Sequence, residues 1–333
     1  MDNLCHTLTG AALGQAGLAR RTRFGMATLM VAANLPDVDV AVFLTDTLPV
    51  SFRRGWTHGV LAQVTLPIAL AAAVWIIGRV RHAAPAAPAA PAAPAPARTH
   101  QHPSAPVGTD FRQLLLLSYT GLYSHIVMDW LNSYGIRLLM PFSDRWFYGD
   151  ALYIVDPWLY LILGGGVWLA SRAGRRGAPG HRQPARTALI VAAAYMLAML
   201  GANLWARVAV RDGLVRAGQP ADTRFMVTPV PVNPFRREVL VDTGERYEKG
   251  FLWFEPTPHF RPAGYGVEKG LTGPAAAAAL ATPRAQAFMR WSRFPFLVVD
   301  RSQRRPRVFL NDYRYSDATA RVGWAGMALV IDD

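Results

Sequence analysis

Apolar runs of helical length, separated by short breaks that carry arginine, fill the chain as far as residue 205. The clearest are "VLAQVTLPIALAAAVWIIG" (60–78) and "TALIVAAAYMLAMLGANLW" (187–205). Each is about 28 Å long as a helix, near the hydrocarbon thickness of a bilayer. "LLLLSYTGLYSHIVMDWL" (114–131) matches them in length, and "ALYIVDPWLYLILGGGVWLAS" (151–171) opens through Asp156-Pro157. Residues 4–19 are small and apolar. Residues 24–44 are apolar but interrupted by Asn34, Pro36, Asp37 and Asp39, which reads as a helix broken at Pro36. The pattern predicts about six membrane-associated helices.

From about residue 207 the periodicity shortens. Residues 224–254 carry β-branched and aromatic runs separated by proline and an Asp-Thr-Gly turn, and 294–300, 305–312 and 326–332 read as further strands. An insert, "RHAAPAAPAAPAAPAPARTHQHPSAPVG" (81–108), is a Pro/Ala linker, extended or disordered, whose His82, His100 and His102 are solvated passengers. The expected fold is mainly α: a polytopic α-helical membrane bundle with a C-terminal β-rich extramembrane domain. Its divisions are N-terminal membrane helices (1–80), the linker (81–110), C-terminal membrane helices (111–206) and the extramembrane domain (207–333).

Composition supports the membrane reading. Of 333 residues 52% are hydrophobic and only 17% charged, and the mean hydropathy is +0.15, too apolar for an ordinary soluble enzyme. The net charge of +13 comes almost wholly from arginine, since Lys249 and Lys269 are the only lysines. No aromatic-basic stripe accompanies it, which argues against nucleic acid. Instead the arginines cluster between apolar runs: Arg20, Arg21 and Arg23, then Arg79 and Arg81, then Arg172, Arg175, Arg176, Arg182 and Arg186. If six helices alternate, these share one side, cytoplasmic by the positive-inside rule, with both termini outside. Cys5 is the only cysteine, so no internal disulfide forms. "RRTR" (20–23) follows the first apolar stretch instead of preceding it, unlike a secretory signal.

Polar residues that interrupt the apolar pattern are the candidates for chemistry. On a helix His125, Asp129 and Asn132, at i, i+4 and i+7, share one face of "YSHIVMDWLNSYG" (123–135). In the predicted topology His6, Asn34, Asp37, Asp39, Arg54, His58, Asp150 and Asp156 fall at the same outer membrane face. Imidazole and carboxylate are ligands for zinc, manganese or iron, so a divalent ion, zinc first, is expected on His6, Asp37, Asp39, His58, His125 and Asp129. Asp37 and Asp39 would face one way if the chain after Asn34 is extended. Arg54 would neutralise developing negative charge and Asp156 would join it in catalysis, with Asn34, Asn132 and Asp150 orienting the ligands. Bland readings stand beside these: Asp156 before Pro157 is a helix N-cap, Asp37 and Asp39 cap helices, Arg54 anchors at the interface, and "GGG" (164–166) is close packing. The expected activity is hydrolysis of an ester or phosphoester of a membrane lipid or envelope precursor. The alternatives are a transporter or proton/metal relay, and an assembly protein stapled by a structural metal.

"CHTLTG" (5–10), "NLPDVD" (34–39), "RRGWTHG" (53–59), "SHIVMDWLNSYG" (124–135) and "MPFSDRWFYGDALYIVDPW" (140–158) occur in an order that resembles the YdjM-like family over about residues 1–205. Metal-dependent hydrolysis, and regulation by or binding to LexA, are ascribed to that family of inner-membrane proteins. The resemblance implies a multi-pass bacterial inner-membrane hydrolase and maps His6, Asp37, Asp39, Arg54, His58, His125, Asp129 and Asp156 onto its polar signature. Arg53 stands where the family pattern has histidine.

Overall fold

Small residues let the N-terminal helices pack closely. The computed structural model describes residues 1–45, 47–83, 108–302, 307–316 and 326–330. Most of the predicted linker, with His100 and His102, lies outside them, as do the ends of the strands expected at 305–312 and 326–332. Helix α1 (Asn3–Gln15) starts at the Asp2 side chain, which accepts from the backbone N–H of Leu4 and Cys5. It packs on α2 (Gly25–Ala32) where Gly10 meets the Leu29 carbonyl; a Cβ on Gly10 would sit 2.8 Å from that oxygen. Helix α5 (Phe111–Trp130), capped by Asp110, crosses α2 the same way through Gly121 against Ala32. A single helical turn, α3 (Pro49–Phe52), precedes helix α4 (Val60–Ala83), which lies along α5. Helices α6 (Pro157–Arg175) and α7 (Gln183–Arg216) pair with each other and with α1. Gly166 abuts Ala188 there, so the close-packing reading of "GGG" applies to that glycine.

The expectation of six spans is corrected. Among the described residues two helices are long and apolar enough to cross a membrane, α4 over Val60–Arg81 and α7 over Gln183–Arg216, or three if α2 and the 3-10 helix Leu35–Leu44 form one bent span. The reason is physical: α1 has only 13 residues, while α5 is long enough but carries a buried polar stripe that lowers its apolarity. The break in the 24–44 segment falls at Ala33–Asn34, with a bend of 53°. Pro36 lies beyond it, inside the 3-10 helix Leu35–Leu44. The backbone carrying Asp37 and Asp39 is therefore tightly wound, not extended, and the two carboxylates do not share a face in the strand sense.

Helix α7 runs past residue 206, where the composition changes, because Ala206, Val210 and Leu214 form a buried stripe. That stripe packs on Phe225, Val227, Val239, Val241 and Leu252 of an antiparallel meander, β1 (Phe225–Pro229), β2 (Arg236–Asp242), β3 (Arg246–Phe254) and β4 (Pro258–Glu268). A second meander, β5 (Pro295–Asp300), β6 (Arg307–Asp312) and β7 (Met327–Val330), packs against the first through Met226, Leu240, Tyr247, Phe294, Phe296 and Tyr313. Two short helices, α8 (Pro274–Leu280) and α9 (Pro283–Trp291), cover the second sheet; neither they nor β4 was expected. Tyr134, just after α5, belongs to that same core, so the β-rich part is seated against the end of α5.

Candidate metal centre

Three segments distant in sequence meet where α5 ends. The last turns of α5 carry His125 and Asp129, the 3-10 helix carries Asp37, and the turn entering α4 carries His58. Gly59 lets the loop after α5 pass close by, since a Cβ there would lie 2.4 Å from the Met140 carbonyl. Asp37, His58, His125 and Asp129 each offer one ligand atom, all within 4.8 Å of one another, and all four residues are buried. His58 Nε2 is 3.1 Å from His125 Nε2. Asp129 Oδ2 is 3.4 Å from His125 Nε2 and 3.5 Å from His58 Nε2. Asp37 Oδ1 stands farther off, 4.0 Å from His125 Nε2.

Hydrogen bonding settles which nitrogen of each ring bears a proton. His125 Nδ1 lies 2.8 Å from the Ala33 carbonyl and must donate to it, leaving a lone pair on Nε2. Thr57 Oγ1 donates to Asp39 Oδ2 at 3.1 Å, so it accepts from His58 Nδ1 at 2.9 Å. His58 Nε2 is then also a lone pair. Two lone pairs face each other at 3.1 Å beside a carboxylate oxygen, a repulsive arrangement that a cation relieves. Asp37 Oδ2 and Asp129 Oδ2 have no hydrogen-bond donor, although Arg54 Nε lies 2.9 Å from the latter outside hydrogen-bonding alignment. Ligands of an ion bonded at 2.0–2.1 Å sit about 3.3 Å apart at tetrahedral corners, close to the three shorter spacings. The residues fit a divalent ion.

Electrostatics maintain these protonation states. Burial holds the His58 imidazole below its ordinary pKa. Burial and the neighbouring His125 hold His6 well below it. Burial alone would raise Asp129, but the charges of Arg54 and the Met1 ammonium outweigh it and keep the carboxylate ionised.

The other expected residues divide into those beside the four and those elsewhere. His6 stacks on His125 with ring centroids 3.8 Å apart and places Nε2 3.3 Å from Asp129 Oδ1, so it supports Asp129 instead of joining the four. The Met1 ammonium contacts the same oxygen. Asp39 accepts from the Arg54 backbone N–H at 2.7 Å, from Thr57 and from Arg53 Nε at 3.3 Å, which occupies it as a positioning group. Arg54, expected to face substrate, is buried; it donates to Asn132 Oδ1 and the Met1 carbonyl, and lies over the Tyr134 ring. Its φ of +55° is held by that bond to Asp39. Asn132 thus acts on Arg54 and not on a ligand. Asn34 bonds Thr7 and the Met30 carbonyl. Two assignments are corrected outright. Asp156 caps α6, accepting from Trp158 N, Leu159 N and the Tyr195 hydroxyl, because Pro157 opens that helix. Asp150 pairs with Arg293 at 2.7 Å and Arg207 at 3.8 Å, fastening the β-rich part to α7. Sequence reasoning missed Thr57, whose only signal was adjacency to His58. It also gave no role to Arg53, which spans Asp37 and Asp39 at 3.3 Å each.

The family model described as YdjM inner membrane protein matches residues 1–210. The chain belongs to the YdjM family. The matched region carries all four residues of the cluster, Asp37 through Asp129, together with the candidate span Val60–Arg81 and most of Gln183–Arg216. This YdjM-family chain is therefore an inner membrane protein whose buried Asp37–His58–His125–Asp129 group can hold a metal ion. No curated protein and no solved structure matches it significantly.

Proposed function

We propose that this YdjM-family protein is a metal-dependent hydrolase of an ester or phosphoester at the membrane–water interface. One observation carries the reading: two imidazole lone pairs and two carboxylates converge in a buried site, and one of the four stands off. His58, His125 and Asp129 form a close trio of ligand atoms, the two-histidine, one-carboxylate set of hydrolytic zinc sites, which leave a position open for water. A divalent ion bound there supplies Lewis acidity and water acidified toward neutral pH. Asp37 is positioned by Arg53, and its Oδ2 is free of donors, so it can take the proton from the attacking water. Arg53 is a partly exposed cation beside Asp37 and Asp39, suited to an anionic substrate group. Arg54 holds Asp129 ionised and in place.

The cluster lies at helix ends, where lipid headgroups and envelope precursors are within reach. That location counts against a transporter, which binds its ion near the midplane. The offset of Asp37 counts against a closed structural metal.

Purified protein in detergent, with no gradient, should hydrolyse a generic phosphoester or ester when given zinc or manganese, and chelation should stop it. His125→Ala should lose metal and turnover together, whereas Asp37→Asn should keep most metal and lose turnover. Metal uptake into proteoliposomes, with no hydrolysis across a broad ester panel, would establish the transporter instead.

A further inference from the structure

Helices α1 and α5 run in opposite directions relative to the metal centre: α1 begins there and α5 ends there. The end of α1 and the start of α5 therefore meet at the far end of the bundle, beside the start of α7. A cavity of about 520 Å³ opens at that meeting point, lined by Arg20, Arg21, Arg186, Gln113, Leu116 and Leu117 among others. Leu117 is buried and forms its floor, while Leu116 is 54% exposed at its side. Arg182 adjoins it, with Arg20 and Arg186 as its charged neighbours.

These arginines lack counter-charges. Among the described residues none of Arg20, Arg21, Arg182 or Arg186 forms an ion pair with a carboxylate. The nearby linker cannot supply one, because residues 84–107 contain neither Asp nor Glu. The Nε of Arg186 is spent on the Ala16 carbonyl at 2.9 Å, which fixes the guanidinium beside Gly17. Like charges crowded at a cavity repel one another, and an anion between them relieves that repulsion. The guanidinium fork matches two phosphate oxygens. The apolar run of α7 begins at Thr187, directly after Arg186, so this cavity lies at one end of a candidate span.

We infer that the cavity seats the phosphate headgroup of an anionic phospholipid, with Arg20, Arg21 and Arg186 on the phosphate and an acyl chain along Leu116 and Leu117. Basic pockets at helix ends with apolar sides take such lipids. The site is independent of the hydrolytic reading and lies away from the metal centre.

The full chain in neutral detergent tests it by native mass spectrometry, with thermal stabilisation as a second readout. The probes are dioleoyl phosphatidylglycerol, dioleoyl phosphatidylcholine and inorganic phosphate. One phosphatidylglycerol per chain should be retained where phosphatidylcholine is not, and inorganic phosphate should fail to displace it. R20Q/R21Q should weaken retention by about thirtyfold. R175Q/R176Q removes the same charge from exposed positions at the C-terminal end of α6, outside the cavity, and should leave retention unchanged. Equal loss in both double variants would mean diffuse attraction and overturn the site. Equal retention of phosphatidylcholine, or displacement by phosphate, would overturn the lipid assignment.

Discussion

Thr57 shows how one hydroxyl can decide what a histidine does. Its proton goes to Asp39, its lone pair accepts from His58 Nδ1, and His58 Nε2 is left to bind. Ala33 does the same for His125 through a backbone carbonyl, which no substitution removes. Removing the hydroxyl with Thr57→Val should free the His58 ring to turn or change tautomer. Metal affinity should fall about 10–100-fold, the usual cost of losing such a partner, while Thr57→Ser should restore it. Calorimetric titration of zinc into the metal-free protein measures both. Unchanged affinity in Thr57→Val would show that the ring is fixed by packing alone.

Among the elements, α6 illustrates a carboxylate whose place in a family motif is explained by helix geometry. Asp156 accepts two backbone N–H groups from the first turn, and Pro157 fits the position that needs no donor. Tyr195 on α7 adds a third bond, so the cap also ties the α6–α7 pair. Asp156→Ala should therefore destabilise the fold by about 1–2 kcal/mol, with metal content and turnover per folded molecule unchanged. Thermal unfolding and metal analysis on the same sample separate the outcomes. A loss of turnover at full folding and full metal content would return Asp156 to the catalytic group. The 3-10 helix Leu35–Leu44 makes the complementary point: its tight winding separates the tasks of Asp37, at the ligand set, and Asp39, at Thr57 and Arg54.

For the whole molecule, charge is polarised along the bundle. Arg20, Arg21, Arg182 and Arg186 gather at one end, while the metal centre and the β-rich part occupy the other. Asp150 to Arg293, and Arg314 to the Ser133 carbonyl at 2.8 Å, hold the β-rich part against the loop that follows α5. The positive-inside rule predicts the basic end in the cytoplasm, and with α7 as a span the chain would continue on the opposite side. A reporter fused after residue 333 should be active only in the periplasm, and the metal centre should share that face. A cytoplasmic signal from the same fusion would reverse the orientation and put the centre on the inner face.

Hydrophobic pattern alone determined much of this protein. Period and length located α4, α5, α6 and α7 and most strands, and i, i+4 spacing placed His125 and Asp129 together, because these are local properties of a regular backbone. The same reasoning overcounted spans. Length does not distinguish a candidate span, such as α4, from α5, whose polar stripe is buried against neighbouring segments. It also could not assign work within the polar set. His6, Asp39, Arg54 and Asp150 look alike in sequence, yet one stacks, one positions, one holds Asp129 and one fastens a domain. Those differences depend on polar contacts of 2.7–3.3 Å between segments far apart in the chain, which no local period encodes. Only the tertiary packing brought His58 Nε2 to His125 Nε2, and only the partners behind each ring left both lone pairs turned inward.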